Sequence, residues 1–246
     1  MTDPAHDLFA ATGLDPETAR RITAEAVEGA DDGELFLEYR QSESLMFDNG
    51  RLKSASFDTT QGFGLRSVVG EAAGYAHSGE ISEDALKRAA EAVRAVRGGY
   101  NGTYAAAPAR TNAKLYGEEN PLLEPDFETK ARLLTEIDAH ARALDSRVRQ
   151  VTVSMAGTWQ VVEILRADGH RVRDVRPLVR FNVSIVVGDG DRQESGSHGM
   201  GGREGFGQFV ATGSWQSAVA KALREALVNL EAVPAPAGTF DVVLGS

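Results

Sequence analysis

The acidic and histidine side chains best spaced for chemistry are Glu136 and His140, with Asp138 between them. Residues four apart lie on the same face of a helix, so Glu136 and His140 could supply two ligands to one metal ion. A zinc site needs three or four ligands, and this count favours an ordinary solvated helix face instead. Three other histidines stand isolated in the sequence and are interpreted as surface or hydrogen-bonded side chains: His77, His170 and His198.

A glycine-rich segment, residues 196–207, is the second candidate. Glycine exposes backbone N–H groups, so such a segment can form an anion-binding nest or allow the close approach of an extended peptide. It lacks the Lys-Ser/Thr ending of a phosphate-binding loop and the strand–glycine–helix context of a dinucleotide fold, which disfavours nucleotide binding. The alternative interpretation is a loop that joins a strand to the next helix.

Other catalytic chemistries find little support in the sequence. The chain has no cysteine and no Gly-x-Ser-x-Gly elbow, so a nucleophilic triad is not indicated. Five arginines between Arg166 and Arg180 are interrupted by Asp168 and Asp174, which indicates a solvated strand face and only weakly an acidic partner. We therefore assign no catalytic, cofactor-binding or metal-ligating residue to this chain.

Composition limits the class of protein. With 246 residues, of which 42% are hydrophobic, the chain is long enough to bury one large core or two smaller ones. Its 36 acidic and 26 basic residues give a net charge of −10, which disfavours direct binding to nucleic acid or to anionic membranes. The lack of cysteine, of a signal peptide and of a long apolar run leads us to expect a cytoplasmic protein.

Helical spacing of apolar residues is clear in four regions, and three of them, all but the one from Asp126, have the cap or stop residues typical of a helix end. We expect helices at these positions: Pro16 to Glu28 after Asp15, Glu83 to Arg97 after Ser82, Asp126 to Leu144, and Trp215 to Leu230.

Alternating apolar residues predict strands between these helices. The turn signal Asp48–Asn49–Gly50 predicts a hairpin with strands from Glu34 and over 52–57, and two further short strands follow at 62–69 and 71–77. The clearest strand is 179–187, where five alternate residues are apolar. Turn signals at 168–169 and 189–190 favour antiparallel pairing. We expect an α+β fold, with antiparallel sheets flanked by helices in two subdomains of a two-layer type.

The same patterns divide the chain. A leading helix occupies 1–33, a first subdomain 34–98, and a connector with little periodicity 99–125. A central subdomain follows at 126–232, and the final stretch, 233–246, contains a sequence typical of the opening of a buried strand.

Four segments, taken in order, resemble the TldD branch of the TldD/PmbA metalloprotease family: 47–52, 62–66, 174–180 and 226–244. The resemblance covers almost the whole chain. It implies the N-terminal region of a zinc-type peptidase that uses a metal-activated water and a glutamate base. In the family a His-Glu-x-x-x-His metal motif follows the region that resembles 239–246, so we expect the chain to stop before it. No residue here matches those ligands, and zinc is expected in the full-length parent only.

The resemblance also implies a role and partners. We expect a region that admits unfolded or flexible peptides and docks a partner, either a PmbA-like subunit or a second copy of the chain. One alternative is a non-catalytic, PmbA-like peptide-binding subunit, and another is a purely structural scaffold.

Overall fold

A computed structural model describes residues 7–98, 106 and 114–245. It has one antiparallel sheet in the strand order β3-β2-β1-β4-β5-β6, flanked by helices, which confirms the predicted α+β class. The strands are β1 (Asp32–Asp48), β2 (Arg51–Val69), β3 (Ala72–Ser78), β4 (Val148–Arg166), β5 (Arg171–Asp189) and β6 (Arg192–Gly202).

Glycine-containing turns join the neighbouring strands at the predicted places. Asn49 and Gly50 have φ values of 51° and 79°, and Gly169 and Gly190 have φ values of 86° and 56°. This left-handed region is strained for most residues but open to glycine and tolerated by asparagine. The turn residues therefore fix three of the hairpins, whereas β1 and β4 lie side by side without a turn between them.

The two strands predicted at 52–57 and 62–69 are in fact one strand, β2. Residues 58–61 include neither glycine nor proline, and the extended backbone continues through them. The glycine at position 62 is explained by packing and not by a turn, because a Cβ there would lie 2.6 Å from the backbone oxygen of Ser78.

The helices are α1 (Leu8–Thr12), α2 (Pro16–Val27), α3 (Glu83–Arg94), α4 (Phe127–Leu144), α5 (Gly207–Val210) and α6 (Thr212–Glu231), with a short 3-10 helix at Ala95–Arg97. The predicted N-caps Asp15 and Ser82 are confirmed, and the structure adds a third N-cap, Asp126. Asp15, Ser82 and Asp126 accept hydrogen bonds from backbone N–H groups three residues on, at 2.7, 3.2 and 2.8 Å. None of the helices in the described part of the chain is long and apolar enough to span a bilayer.

All of these helices pack on one face of the sheet, in two hydrophobic clusters. Leu35 of β1 and Val161 of β4 belong to the first cluster, with α1, α2 and α3. Leu45 of β1 and Val153 of β4 belong to the second cluster, with α4, α5 and α6. Beyond Val148 at the irregular start of β4, the residues that β1, β4 and β5 contribute to the two clusters all have odd numbers. Side chains of a strand alternate between faces, so both clusters cover the same face of the sheet. We call the other side the open face.

The clearest predicted strand lies in the middle of the second cluster. Every second residue from Val179 to Val187 is buried, which confirms the prediction. Trp215 of α6 is also buried, as expected for the core-facing stripe. Leu227 also packs against this cluster on the core-facing side of α6, but it is only partly buried.

Most of the predicted connector lies outside the described residues, at 99–105 and 107–113. Its described end packs against the sheet, since Leu122 is buried in the first cluster and its Cδ2 would lie 2.6 Å from a Cβ at Gly157. β1 and β4 pair from Glu34–Arg166 to Asp48–Thr152, so the sheet is continuous between the residues before and after the connector.

The end of α4 gives a pH prediction. Side-chain and backbone hydrogen bonds from Arg147, both at 2.8 Å, lower the pKa of Asp145 from 3.8 to about 2. A carboxylate whose pKa is lower in the folded protein than in the unfolded chain stabilises the fold at any pH above its unfolded-state pKa. This contribution is lost as the pH falls through the folded-state pKa. We therefore expect Asp145→Asn to be less stable than wild type at pH 5, with the difference shrinking between about pH 4 and pH 2. Urea unfolding across this range measures it, and a constant difference would contradict the assignment.

Candidate functional site

The helix pair considered for metal binding does not form a metal site. Glu136 is exposed, and the ring of His140 packs edge-on against Trp215, with 5.2 Å between ring centroids. Asp138 is buried and forms an ion pair with Arg142 at 3.0 Å. Across residues 7–98, 106 and 114–245 there is no group of three or more side chains that could hold a metal ion. These residues therefore do not fit a catalytic metal.

The three isolated histidines lie in separate places. His77 of β3 stacks on Tyr75, with 5.8 Å between ring centroids, and His170 lies in the turn between β4 and β5. His198 lies on β6 opposite Val183 of β5. The fold does not bring these histidines together.

The interpretation of residues 196–207 as a loop is wrong for most of its length, because β6 continues to Gly202. The glycine at position 196 is required by packing: a Cβ there would lie 2.3 Å from the backbone oxygen of Ala222 in α6. Glycine lets the helix backbone approach the strand closely. The sequence did contain a signal for a strand here that we missed: glycines at 196, 199 and 201 are separated by other residues, and the stretch contains no proline.

Most of the arginines between Arg166 and Arg180 are already paired with carboxylates. The pairs are Arg166–Asp32 at 3.0 Å, Arg171–Glu163 at 2.5 Å, Arg173–Glu118 at 3.4 Å and Arg176–Asp174 at 2.7 Å. Arg180 instead donates a hydrogen bond to Asn182 at 3.3 Å. This segment therefore offers little free positive charge to an acidic partner.

The outer edge of β6 is protected by side chains of α6. The backbone N–H of Ser197 donates to Glu225 at 2.8 Å, and the backbone oxygen of Ser195 accepts a hydrogen bond from Asn229 at 2.9 Å. Edge strands carry unpaired backbone groups that can template pairing with another chain, and proteins usually cover them. Part of the β6 edge is covered in this way.

The edge of β5 beyond the end of β6 is also protected. β6 pairs with β5 only from Val179 onward. The preceding part of β5 is contacted by residues in the described end of the connector: Tyr116 donates a hydrogen bond to Asp174 at 3.1 Å, and Glu118 pairs with Arg173. Because these side chains cross the end of the sheet, this edge is less open to another strand.

The edge of β2 over residues 51–61 is not covered. β3 pairs with β2 only from Phe63 to Val69, so over 51–61 the described residues provide β1 on one side of β2 and no strand on the other. Every residue from Arg51 to Gln61 is exposed. At about 3.4 Å per residue this edge is roughly 35 Å long. We call it the free edge, and it is the candidate functional site.

The free edge has two chemically different sides. Leu52 and Phe57, which are 40% and 61% exposed, lie opposite Phe47 and Glu43 of β1, on the side of the sheet that carries the helices. Ala55 lies on the same side, opposite the buried Leu45. The residues on the open face are polar: Ser54, Ser56, Asp58 and Thr60. Over residues 52–57 the edge is therefore apolar towards the helices and polar towards the open face, and Thr59 and Gln61 make the rest of the helix side polar.

The start of the free edge is held in place by hydrogen bonds. Asp48 accepts hydrogen bonds from Gln150 at 2.7 Å and from Thr152 at 2.9 Å, and these bonds lower its pKa. The backbone N–H of Asn49 donates to the oxygen of Val151 at 2.9 Å, and Arg142 of α4 donates to the Asn49 side chain. The hairpin tip is thus fixed to β4 and α4, which presents a preformed edge to any added strand.

The fold and this site define a two-layer α+β protein with a free strand edge and no metal centre among the described residues. Two sequence profiles match the chain: the first domain of the PmbA/TldA metallopeptidases over residues 33–97, and the central domain of the same proteins over residues 120–230. The chain belongs to the PmbA/TldD metallopeptidase family, which confirms the resemblance found in the sequence.

Curated relatives agree with this assignment. The chain is 37% identical to a Haemophilus influenzae protein named metalloprotease TldD homolog, over 88% of this chain and 46% of that protein. A protein of the same name from Buchnera aphidicola subsp. Schizaphis graminum is 32% identical over the same shares. The chain therefore spans about half the length of the curated relatives it matches.

Solved structures share the fold. TldE from Thermococcus kodakarensis superposes with a TM-score of 0.68 at 14% identity, covering 86% of this chain and 47% of that one. A Thermotoga maritima protein described as a modulator of a DNA gyrase gives 0.70 at 16% identity, covering 90% and 50%. At these identities the likeness concerns the fold alone.

Proposed function

We propose that this chain is the substrate-admitting region of a TldD-like metallopeptidase, and that its free edge receives an extended peptide as an additional strand. The observation that carries the proposal is the exposed, unpaired edge of β2 over residues 51–61, in a sheet whose β5 and β6 edges are contacted by other parts of the chain. Strand addition binds mainly the peptide backbone, so it suits unfolded or flexible peptides of varied sequence.

The proposal separates binding from hydrolysis. Because the described residues do not fit a metal, the proposal assigns the zinc-dependent step of the parent enzyme to residues other than these. Docking of a PmbA-like subunit or of a second copy belongs to the same proposal. The curated relatives named TldD homolog, at 31–37% identity, favour this role over that of a non-catalytic PmbA-like subunit.

Proline at two consecutive positions, Ala55 and Ser56, tests the free edge. Alternate residues of a strand direct their N–H groups to opposite sides, so one of these N–H groups faces β1 and the other faces solvent. Proline removes the N–H group. We expect one variant to lose thermal stability, and the other to keep most of its melting temperature while losing most of its peptide binding.

The measurement is fluorescence anisotropy with a labelled flexible peptide, alongside a melting curve for each variant. A DNA duplex of similar size serves as a control, and a net charge of −10 predicts no tight binding to it. Wild-type peptide affinity in both folded proline variants would show that the peptide binds elsewhere.

A further inference from the structure

The two sides of the free edge differ in polarity residue by residue. On the helix side the exposed side chains nearest the hairpin are the apolar Leu52, Ala55 and Phe57, and the polar Thr59 and Gln61 follow them. On the open face Ser56 and Asp58 alternate with Ala55 and Phe57. The apolar side chains continue the second hydrophobic cluster outward, since Ala55 lies opposite Leu45 and Leu52 opposite Phe47, both of which are buried. The edge therefore extends a hydrophobic surface on one side only.

An added strand would meet this pattern directly. Residues that face each other across an antiparallel pair lie on the same side of the sheet, with Cβ atoms about 5 Å apart. Alternate side chains of the added strand would thus contact Phe57 and its apolar neighbours, and the intervening ones would lie beside Ser56 and Asp58. A shift of one residue would move every side chain to the opposite side.

We infer that the free edge selects extended segments in which apolar and polar side chains alternate, with Phe57 as the main specificity-determining residue. This inference rests on the proposed function, since it names the substrate class that the same edge would prefer. A segment with its apolar residues in one block would place half of them on the open face, beside hydroxyl and carboxylate groups. That half would gain no apolar contact.

Two peptides of identical composition test the preference: Glu-Thr-Val-Thr-Val-Thr-Val-Thr and Glu-Thr-Thr-Thr-Thr-Val-Val-Val. Both carry the same fluorescent label and the same charge. We expect the alternating peptide to bind roughly three- to tenfold more tightly, because cross-strand apolar pairs each contribute a fraction of a kcal/mol. Fluorescence anisotropy at equal salt measures the ratio of the two dissociation constants.

A pair of variants locates the effect. Phe57→Thr should bring the ratio close to one while leaving the weaker, backbone-dependent binding of both peptides. Val228→Thr is the matched control, because Val228 is 60% exposed on α6, close to the 61% of Phe57, and lies away from the free edge. The control should keep the wild-type ratio.

The outcomes separate the inference from the proposed function. If both peptides bind equally well, and the proline variant that removes the solvent-facing N–H group binds neither, then the alternation preference is overturned and strand addition remains in place. Binding that neither proline variant changes overturns both. If neither peptide binds, and the chain instead forms a concentration-dependent dimer that Phe57→Thr abolishes, then the edge pairs with a second copy of the chain. That result also overturns the inference.

Discussion

Lys130→Met is expected to lower the free energy of unfolding by about 3–5 kcal/mol, because it leaves a poorly solvated carboxylate without its partner. Lys130 of α4 is completely buried and forms an ion pair with Glu43 of β1, whose side chain is 12% exposed. Its Nζ also donates to the backbone oxygen of Leu122 at 3.1 Å and lies 5.3 Å from the centre of the Phe206 ring. One ammonium group thus joins a helix, the sheet and the described end of the connector.

Urea unfolding of three variants tests this prediction. Glu43→Gln should also destabilise the fold, since it leaves the buried ammonium group without a counter-charge. The double variant Lys130→Met/Glu43→Leu should be more stable than the sum of the single losses predicts, because both charges are then absent. Strictly additive losses would show that the two side chains do not interact.

Trp215→Ala is the second large effect that we expect, at about 3–5 kcal/mol of lost stability. Trp215 is 2% exposed in the second cluster, where its ring also contacts His140. Removing it leaves a cavity that the surrounding sheet and helices can fill only in part.

Leu227→Ala on the same helix is the matched comparison and should cost clearly less, because Leu227 is only partly buried. Chemical unfolding followed by circular dichroism is suitable for both variants, since Trp215 is one of only two tryptophans and its loss changes the fluorescence signal. A loss for Leu227→Ala equal to that for Trp215→Ala would contradict the packing described.

Much of the fold could be predicted from local patterns. Helix caps such as Asp15 and Ser82 act within four residues, and the turn glycines Gly50 and Gly190 act through their own backbone angles. The alternation in 179–187 is likewise a local signal. These features were read correctly because their cause lies in neighbouring residues.

The candidate site could not be predicted in the same way. That β2 is one strand, and that its edge over 51–61 is free, depends on where β3 stops pairing. The ion pair of Lys130 joins residues 87 positions apart, and its helix position alone suggests an ordinary exposed lysine. The glycine at 196 is explained only by the approach of α6. Each of these facts is set by contacts between distant parts of the chain.

The continuity of β1 through both hydrophobic clusters limits how this protein can be divided. β1 supplies Leu35 to one cluster and Leu45 to the other, although the matched central domain begins only at residue 120. In a chimera recombined within 99–113, β1 would come from one family member and β4 from another. The side chains that meet across this strand pair would then not have evolved together. The two regions are therefore poor candidates for independent exchange between family members, and substitutions along β1 and β4 should be inherited together.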